Sequence, residues 1–484
     1  MAGRFLRLFK PLSRFLPEVS SPERGVRFNE KLFWTGIALA LYLIMAEVPL
    51  YGMGAPGGPT FNPIQIIFAS NQNSLMALGI GPIVTAGIIL QLLAGSGIIG
   101  FEASNPDDRG LFTSASKFFS IVMTGIQASA YLLGGFFGTS VQPGVSIIIF
   151  IELMVAGLIL MLLDEMVQKG WGIGSGISLF ILAGVAKSIV WDSISTWGPM
   201  QDGKYYGALV AYAQTALNGE PLLSNFFIRS GFNAEGVLEK FPYLPNMLGF
   251  VATIAVFIVV IYAEGVRVEL PVSYAGYRGF RGRYPIKLLY VSNLPVIFAS
   301  ALFANVYFIS QLLWSKFEGN FWVGLLGTYT VTQDTGQYVT TGGLAYYMTP
   351  PRNLFDVTNS PLQATVYTVI MVAFCIVFSL TWLEVGGLDP RTVAGQLVSA
   401  GMQIPGFRRS EKAIEMILKR YIPAVTILGG ALVGLIAAVA NFFGVFGTGM
   451  GVLLSVGILY QYYQLLMQER IVDMYPAMRH ILGG

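Results

Sequence analysis

Ten stretches of about 20 predominantly apolar residues, the length that crosses a bilayer, recur along this chain. They lie near residues 32–51, 77–95, 117–138, 145–166, 174–193, 246–264, 288–312, 362–384, 421–441 and 450–468. Lipid offers a backbone no hydrogen bonds, so each stretch must satisfy its own amides as a helix. A further apolar stretch, 62–70, is too short to cross. Composition agrees: 11% of the 484 residues are charged and 54% are hydrophobic, where a soluble domain carries roughly a quarter charged residues. The predicted fold class is an all-α polytopic membrane protein with ten transmembrane helices.

Basic residues orient the spans. Of the 29 Lys and Arg, 23 fall on one side, in the N-terminal tail, the 96–117 segment, Lys169, the 265–287 and 385–420 loops and the C-terminal end. The other six are Lys187, Lys204, Arg229, Lys240, Lys316 and Arg352. The richer side is expected to be cytoplasmic, with both termini there, in a cell membrane. Segment 194–245 then connects five spans to five on the external side. An odd number of spans per half makes the second half enter from the opposite face, so a shared fold would make the halves inverted repeats. The expected organisation is a cytoplasmic segment 1–31, an N-terminal half 32–193, the connection 194–245, a C-terminal half 246–468 and a cytoplasmic tail 469–484. In the first sixteen residues Arg4, Arg7, Lys10 and Arg14 oppose Phe5, Leu8, Phe9, Leu12 and Leu16, the pattern of a basic helix lying on a membrane surface.

Much chemistry is closed off. Cys375 is the single cysteine and His480 the single histidine, outside the ten stretches, so internal disulfides, metal clusters of several Cys or His, and a Ser/His/Asp triad within the spans are excluded. Gly52, Gly54 and Gly57 satisfy GxGxxG but follow a membrane span instead of a strand, and no GxxxxGK[ST] is present. The chain is not expected to be an enzyme and needs no cofactor. Charges avoid mid-span positions: Glu47, Glu152, Lys187 and Asp192 stand toward external ends, Asp164 and Glu264 at cytoplasmic ends. The polar groups within spans are neutral, namely Thr85, Gln91, Gln127, Asn293 and Asn305. This argues against an ion-coupled pathway. Ile80 and Val84, beside Gly79 and Pro82, and Ile177 and Ile181, after the Gly172-x-Gly174-x-Gly176 run, share i, i+4 spacing. On the residues alone, such pairs read as packing.

The run Leu78-Gly-Ile-Gly-Pro-Ile-Val-Thr-Ala-Gly-Ile-Ile-Leu-Gln-Leu-Leu93 resembles the second span of the SecY-type translocon alpha subunit. The segments Gly172–Ile177, Tyr284–Ile297, Ala301–Asn305, Gly406–Arg408 and Gly451–Leu454 resemble the same family, in order, from about Pro17 to the C-terminal end. The likeness is greater to archaeal and eukaryotic members than to bacterial ones. It implies two inverted five-helix halves around a central pore, closed at mid-membrane by an apolar ring of Ile80, Val84, Ile177, Ile181, Ile297 and Leu454. A ring of branched aliphatics is too narrow and apolar to stay wet, and it grips a passing polypeptide without sequence preference. The resemblance implies a plug at 62–70, carrying Pro63, Ile64, Ile66, Ile67 and Phe68.

It also implies a lateral gate between the second and third spans and the seventh and eighth, with Thr85, Gln127 and Asn305 on the seam. Neutral hydrogen bonds there, about 1 kcal/mol each, would suit walls that must part. Arg278, Arg281, Arg283 and Lys287 on one loop, and Arg408, Arg409 and Lys412 on the other, are explained by positive-inside topology alone. With the resemblance they become a docking surface for a ribosome and its RNA phosphates. The implied partners are a SecE/gamma-type and a beta-type single-span subunit, a ribosome or other cytosolic motor, a nascent polypeptide with its signal sequence, and the bilayer. The expected function is a passive protein-conducting channel that passes unfolded secretory chains and releases transmembrane segments sideways. The alternatives are a secondary transporter with five-plus-five inverted repeats, which would need a charged midplane site, and an intramembrane protease, whose catalytic pairs are absent.

Overall fold

The computed structural model describes residues 9–11, 16–53, 73–95, 99, 106–133, 136–137, 143–200, 202–232, 238–241, 243–274, 281–291, 294–317, 319–331, 338–403 and 411–474. Each of the ten expected spans overlaps a helix, nine of them of 19 residues or more. In order, the helices are α1 (Phe28–Glu47), α2 (Gly81–Gly95), α3 (Pro106–Leu133), α4 (Pro143–Met166) and α5 (Gly176–Ile194), then α6 (Met247–Gly265), α7 (Leu294–Lys316), α8 (Pro361–Val385), α9 (Glu411–Phe442) and α10 (Gly449–Met474). Seven of them, α4 to α10, are long and apolar enough to cross a membrane by length and composition alone. The helices α3 and α9 begin about ten residues before the hydropathic stretches at 117 and 421. Hydropathy reports contact with lipid, whereas a helix persists beyond lipid wherever its backbone bonds and one packed face are kept.

The chain divides into two compact units, the first holding Met1–Asp192, Phe303–Tyr346 and Leu454–Gly484. Within it Leu50, Ala77, Leu78, Ala128, Ile149 and Leu153 form a buried cluster. The segment before α1 is strapped to the end of α4 and the turn that follows. Lys169 Nζ donates to the Glu18 carboxylate at 2.5 Å and the Val19 carbonyl at 2.6 Å, and Trp171 Nε1 donates to the Ser20 carbonyl at 2.8 Å. Lys117 closes on Glu165 at 2.5 Å. Of the expected surface helix in residues 1–16, only 9–11 and 16 lie within the described residues. There Phe9 is buried, its ring 5.7 Å from Phe118 and 5.8 Å from Phe119 on α3.

The second unit holds Ser193–Leu302 and Tyr347–Leu453. Its tightest helix pair is α8 with α9. A Cβ at Gly430 would stand 2.4 Å from Ser379 Oγ, and one at Gly434 would stand 3.0 Å from Val372 Cα. Small residues four apart let the backbones approach, the usual way membrane helices gain contact when lipid gives no hydrophobic drive. Strands β1 (Arg229–Phe232) and β2 (Leu238–Phe241) pair antiparallel in the 194–245 connection. Strands β3 (Arg267–Tyr274) and β4 (Arg281–Lys287) form a hairpin in the 265–287 loop, Arg267 facing Lys287 and Ser273 facing Arg281. A two-residue strand, Met402–Gln403, adds to β3 from the other loop, pairing Ser273 with Gln403. The two loops thus share one sheet, over a core that includes Leu270, Ile286, Leu397, Ile414 and Leu418.

Candidate functional site

The second span is broken at its start. Helix α2 has 15 residues, about 22 Å at 1.5 Å per residue, against about 30 Å of hydrocarbon. The backbone from Asn73 to Ile80 is not helical, yet Ser74, Met76, Ala77, Leu78 and Ile80 are all buried. Gly79 takes a positive φ of 54°, which glycine allows at little steric cost. Pro82 then falls in the first turn, where a missing N–H costs no helical bond. The expected helical start at 77 is therefore displaced to Gly81, and Ile80 stands at the break, its carbonyl accepting the Val84 N–H at 3.0 Å. Irregular backbone at membrane depth is tolerated only where protein buries it or a water-filled cavity lines it.

The fifth span of each half starts under a side chain sent from the end of the fourth. Asp164 Oδ1, on α4, accepts the Ile177 N–H at 2.9 Å, while its Oδ2 accepts from Gln168 Nε2 at 2.8 Å. Tyr462 on α10 donates to the Ser175 carbonyl at 2.8 Å. A Cβ on Gly176 would lie 2.7 Å from Asp164 Cα, so glycine is what lets the α5 start approach α4. In the second unit Asn441 Oδ1, on α9, accepts the Gly449 N–H at 2.8 Å, and Thr448 Oγ1 accepts the Gly451 N–H at 3.1 Å. Helix N-termini leave several N–H groups without partners, and these acceptors satisfy them. Ile177 is the second residue of α5 and Leu454 the sixth of α10. Their backbones are held where those starts are held.

Of the six predicted ring residues, Ile80, Ile181 and Leu454 are buried and Val84, Ile177 and Ile297 half-buried. Ile297 lies in the first turn of α7, in the second unit; the other five belong to the first. The predicted plug residues Pro63, Ile64, Ile66, Ile67 and Phe68 lie outside the described residues.

Near the residues expected on a seam, the structure shows an aromatic contact. Among the described residues no hydrogen bond links Thr85, Gln127 and Asn305 to one another, and the buried Thr85 Oγ1 has no partner. What joins α3 to the later part of α7 is aromatic. Tyr131 stacks on Phe308 with centroids 5.2 Å apart and 28° between planes, Phe136 lies 5.5 Å from Phe308, and Tyr131 and Phe136 stack at 4.5 Å. Tyr131 stands one turn beyond Gln127, and Phe308 three residues beyond Asn305, so the cluster borders the polar positions. Scattered single aromatics in separate hydrophobic runs did not announce this meeting.

Of the predicted docking residues, Arg278, Arg408 and Arg409 lie outside the described residues, and Arg281 is described in its backbone as the first residue of β4. Arg283, Lys287 and Lys412 are exposed. Arg283 Nη1 donates to Glu269 Oε2 at 2.7 Å across the β3–β4 hairpin, and this hydrogen bond holds the Glu269 carboxyl below its ordinary range. Arg267 reaches the same carboxylate at 3.3 Å. The two basic loops stand on a shared three-stranded sheet.

These observations define a multi-pass helical membrane protein with a span broken in the bilayer and apolar side chains at that break. Residues 74–463 match the SecY family, and residues 41–72 match the plug domain of Sec61p. The protein translocase subunit SecY of Pyrococcus furiosus is 42% identical over 98% of this chain and 98% of its own. That of Pyrococcus horikoshii is 41% identical with the same coverage. A solved structure of a protein conducting channel is 39% identical, with a TM-score of 0.78, over 97% of this chain and 98% of that one. Sec61 in the canine ribosome-channel complex from the endoplasmic reticulum matches at a TM-score of 0.76 and 39% identity, with the same coverage.

The chain belongs to the SecY family. It has that family's ten-span helical fold and is a channel-forming translocase subunit, not an enzyme. The secondary-transporter alternative has no support among these relatives.

Proposed function

We propose that this chain is the pore subunit through which unfolded polypeptides cross the membrane, sealed at rest by Ile80, Val84, Ile177, Ile181, Ile297 and Leu454. The observation that carries the reading is the break at Ile80: a 15-residue second span, preceded by buried irregular backbone, within a SecY-family chain. A ring of aliphatic side chains there would exclude water and ions when idle. It would also offer a translocating chain no hydrogen bonds that demand a match. The plug at 62–70 would back the ring, and the seam carrying Thr85, Gln127 and Asn305 would part to release transmembrane segments into lipid.

Both termini and the 265–287 and 385–420 loops are read as cytoplasmic from the distribution of Lys and Arg. Two of the solved relatives are ribosome-bound channels. This supports a ribosome as the partner of the exposed Arg283, Lys287 and Lys412, together with Arg278, Arg281, Arg408 and Arg409. Phosphate contacts of that kind weaken steeply with salt. A SecE/gamma-type and a beta-type subunit would complete the complex.

A stalled ribosome-bound secretory chain with a photocrosslinker at mid-chain tests the ring. Adducts at Val84, Ile177 and Leu454 are expected. Adducts restricted to lipid-facing positions such as Ile258 would overturn the assignment.

A further inference from the structure

The 194–245 connection is built around two buried cations that its sequence offers as ordinary surface charges. Arg229 Nε donates to Asp202 Oδ2 at 2.8 Å, Nη1 to the Tyr206 carbonyl at 2.7 Å and Nη2 to the Tyr205 carbonyl at 2.9 Å. Both partners of that ion pair are almost wholly buried. Lys204 Nζ donates to Glu220 Oε2 at 2.5 Å and to the Ser230 carbonyl at 3.0 Å. Buried charges persist only where they are paired and hydrogen-bonded, and these are. They fix a helical hairpin made of Ala208–Leu217 and Leu222–Phe227, whose two helices meet through Tyr212 and Phe226.

The outward side of this hairpin is uncharged, and its exposed large side chains are apolar, with Asn218 and Ser224 the exposed polar residues between them. Leu217 is 86% exposed and Leu223 77%, with Leu222 and Phe227 also exposed. From Ala208 to Ile228 the one charged residue is Glu220, and it turns inward to Lys204. We infer that this rigid tip is a lipid-seated foot, with Leu217, Leu222, Leu223 and Phe227 in the acyl–headgroup boundary of the bilayer.

Two observations select lipid as the occupant. Both short helices pack against α6, and Asn246 Nδ2, at the α6 start, donates to the Phe227 carbonyl at 2.9 Å. The hairpin is therefore anchored at the start of an apolar span on which Ile254, Ile258 and Ile261 are exposed. The second is size. Four side chains present a few hundred Å2, at the scale of an ordinary surface patch and below the roughly 1,000 Å2 of a specific protein interface. Turning Glu220 inward is the arrangement such a site needs, because an exposed charge at that position would resist entry into the interface.

The test uses the full chain in lipid nanodiscs, with Leu217→Cys, Leu223→Cys and, as an exposed reference, Lys240→Cys, each labelled with bimane. Cys375 is buried, and the labelled parent sets the background. Phosphatidylcholine with a doxyl group at acyl carbon 5 is expected to quench the 217 and 223 labels more strongly than one at carbon 12. Aqueous iodide should quench them little, and the 240 label should behave oppositely. Iodide quenching without lipid quenching would place the tip in water and overturn the inference. So would labels shielded from both quenchers, since protein would then be covering the tip.

Discussion

Replacing Phe308 by Ala should loosen the contact between α3 and α7. Phe308 meets Tyr131 at 5.2 Å and Phe136 at 5.5 Å, and each aromatic pair contributes roughly 1 kcal/mol beyond its buried area. Two pairs come to about 2 kcal/mol. Since 1.4 kcal/mol is tenfold in an equilibrium constant, the ratio of parted to closed seam should rise about 30-fold. Spin labels at Gln127→Cys and Asn305→Cys, one on each wall, report that ratio by pulsed electron–electron distance measurement in nanodiscs. Phe308→Tyr keeps the ring and should match the parent distribution; Phe308→Ala should transfer population to longer distances. If Phe308→Ala and the parent give the same distribution, the aromatic cluster does not hold the seam. If Phe308→Tyr also opens it, stacking is not the cause.

Three further outcomes follow from the same geometry. Asp164→Ala strips the acceptor from the Ile177 N–H and should destabilise the start of α5 by about 1 kcal/mol, read as faster amide exchange at 176–179. Asp164→Asn keeps an acceptor and should restore protection. Arg229→Ala leaves Asp202 buried without its partner, a loss of about 3–5 kcal/mol, and should lower the thermal midpoint of the 194–245 region in detergent; an unchanged midpoint would mean that Asp202 regains water. Glu269, held below its ordinary 4.5 by the hydrogen bond from Arg283, lends stability to the β3–β4 hairpin above that value. The contribution should fade as pH falls through the lowered folded value. Amide protection across 267–287 should therefore drop in acid, and Glu269→Gln should flatten that pH dependence.

The spans were legible because lipid is a severe filter: a helix that meets it carries its own signature of about 20 uncharged residues. Ends were less legible. The start of α2 at Gly81 instead of 77 depended on the Gly79 dihedral and the buried Asn73–Ile80 backbone, neither of which hydropathy records. Thr85, Gln127 and Asn305 stand out in the sequence as neutral polar residues in apolar runs, whereas the contact the structure forms beside them is a Tyr131–Phe136–Phe308 cluster. Aromatics are so common in membrane helices that three of them give no sign of meeting. Asp164 was visible as a charge at a span end; that it caps α5 required knowing which N–H it faces.

Composition, the spacing of apolar runs and the sorting of Lys and Arg determined by themselves that this chain is a ten-span membrane protein, since these features answer to solvent one residue at a time. The family resemblance supplied the residues proposed for the ring, the plug and the docking loops. Tertiary structure alone decided that Lys204 and Arg229 are interior ion pairs, that the 265–287 and 385–420 loops share one sheet, and that α5 and α10 each start beneath a side chain from the preceding span. The physical reason is that hydrogen bonds and buried ion pairs are properties of partners far apart in sequence. Asp164 and Ile177, or Lys204 and Ser230, acquire their roles only when the chain brings their atoms within about 3 Å.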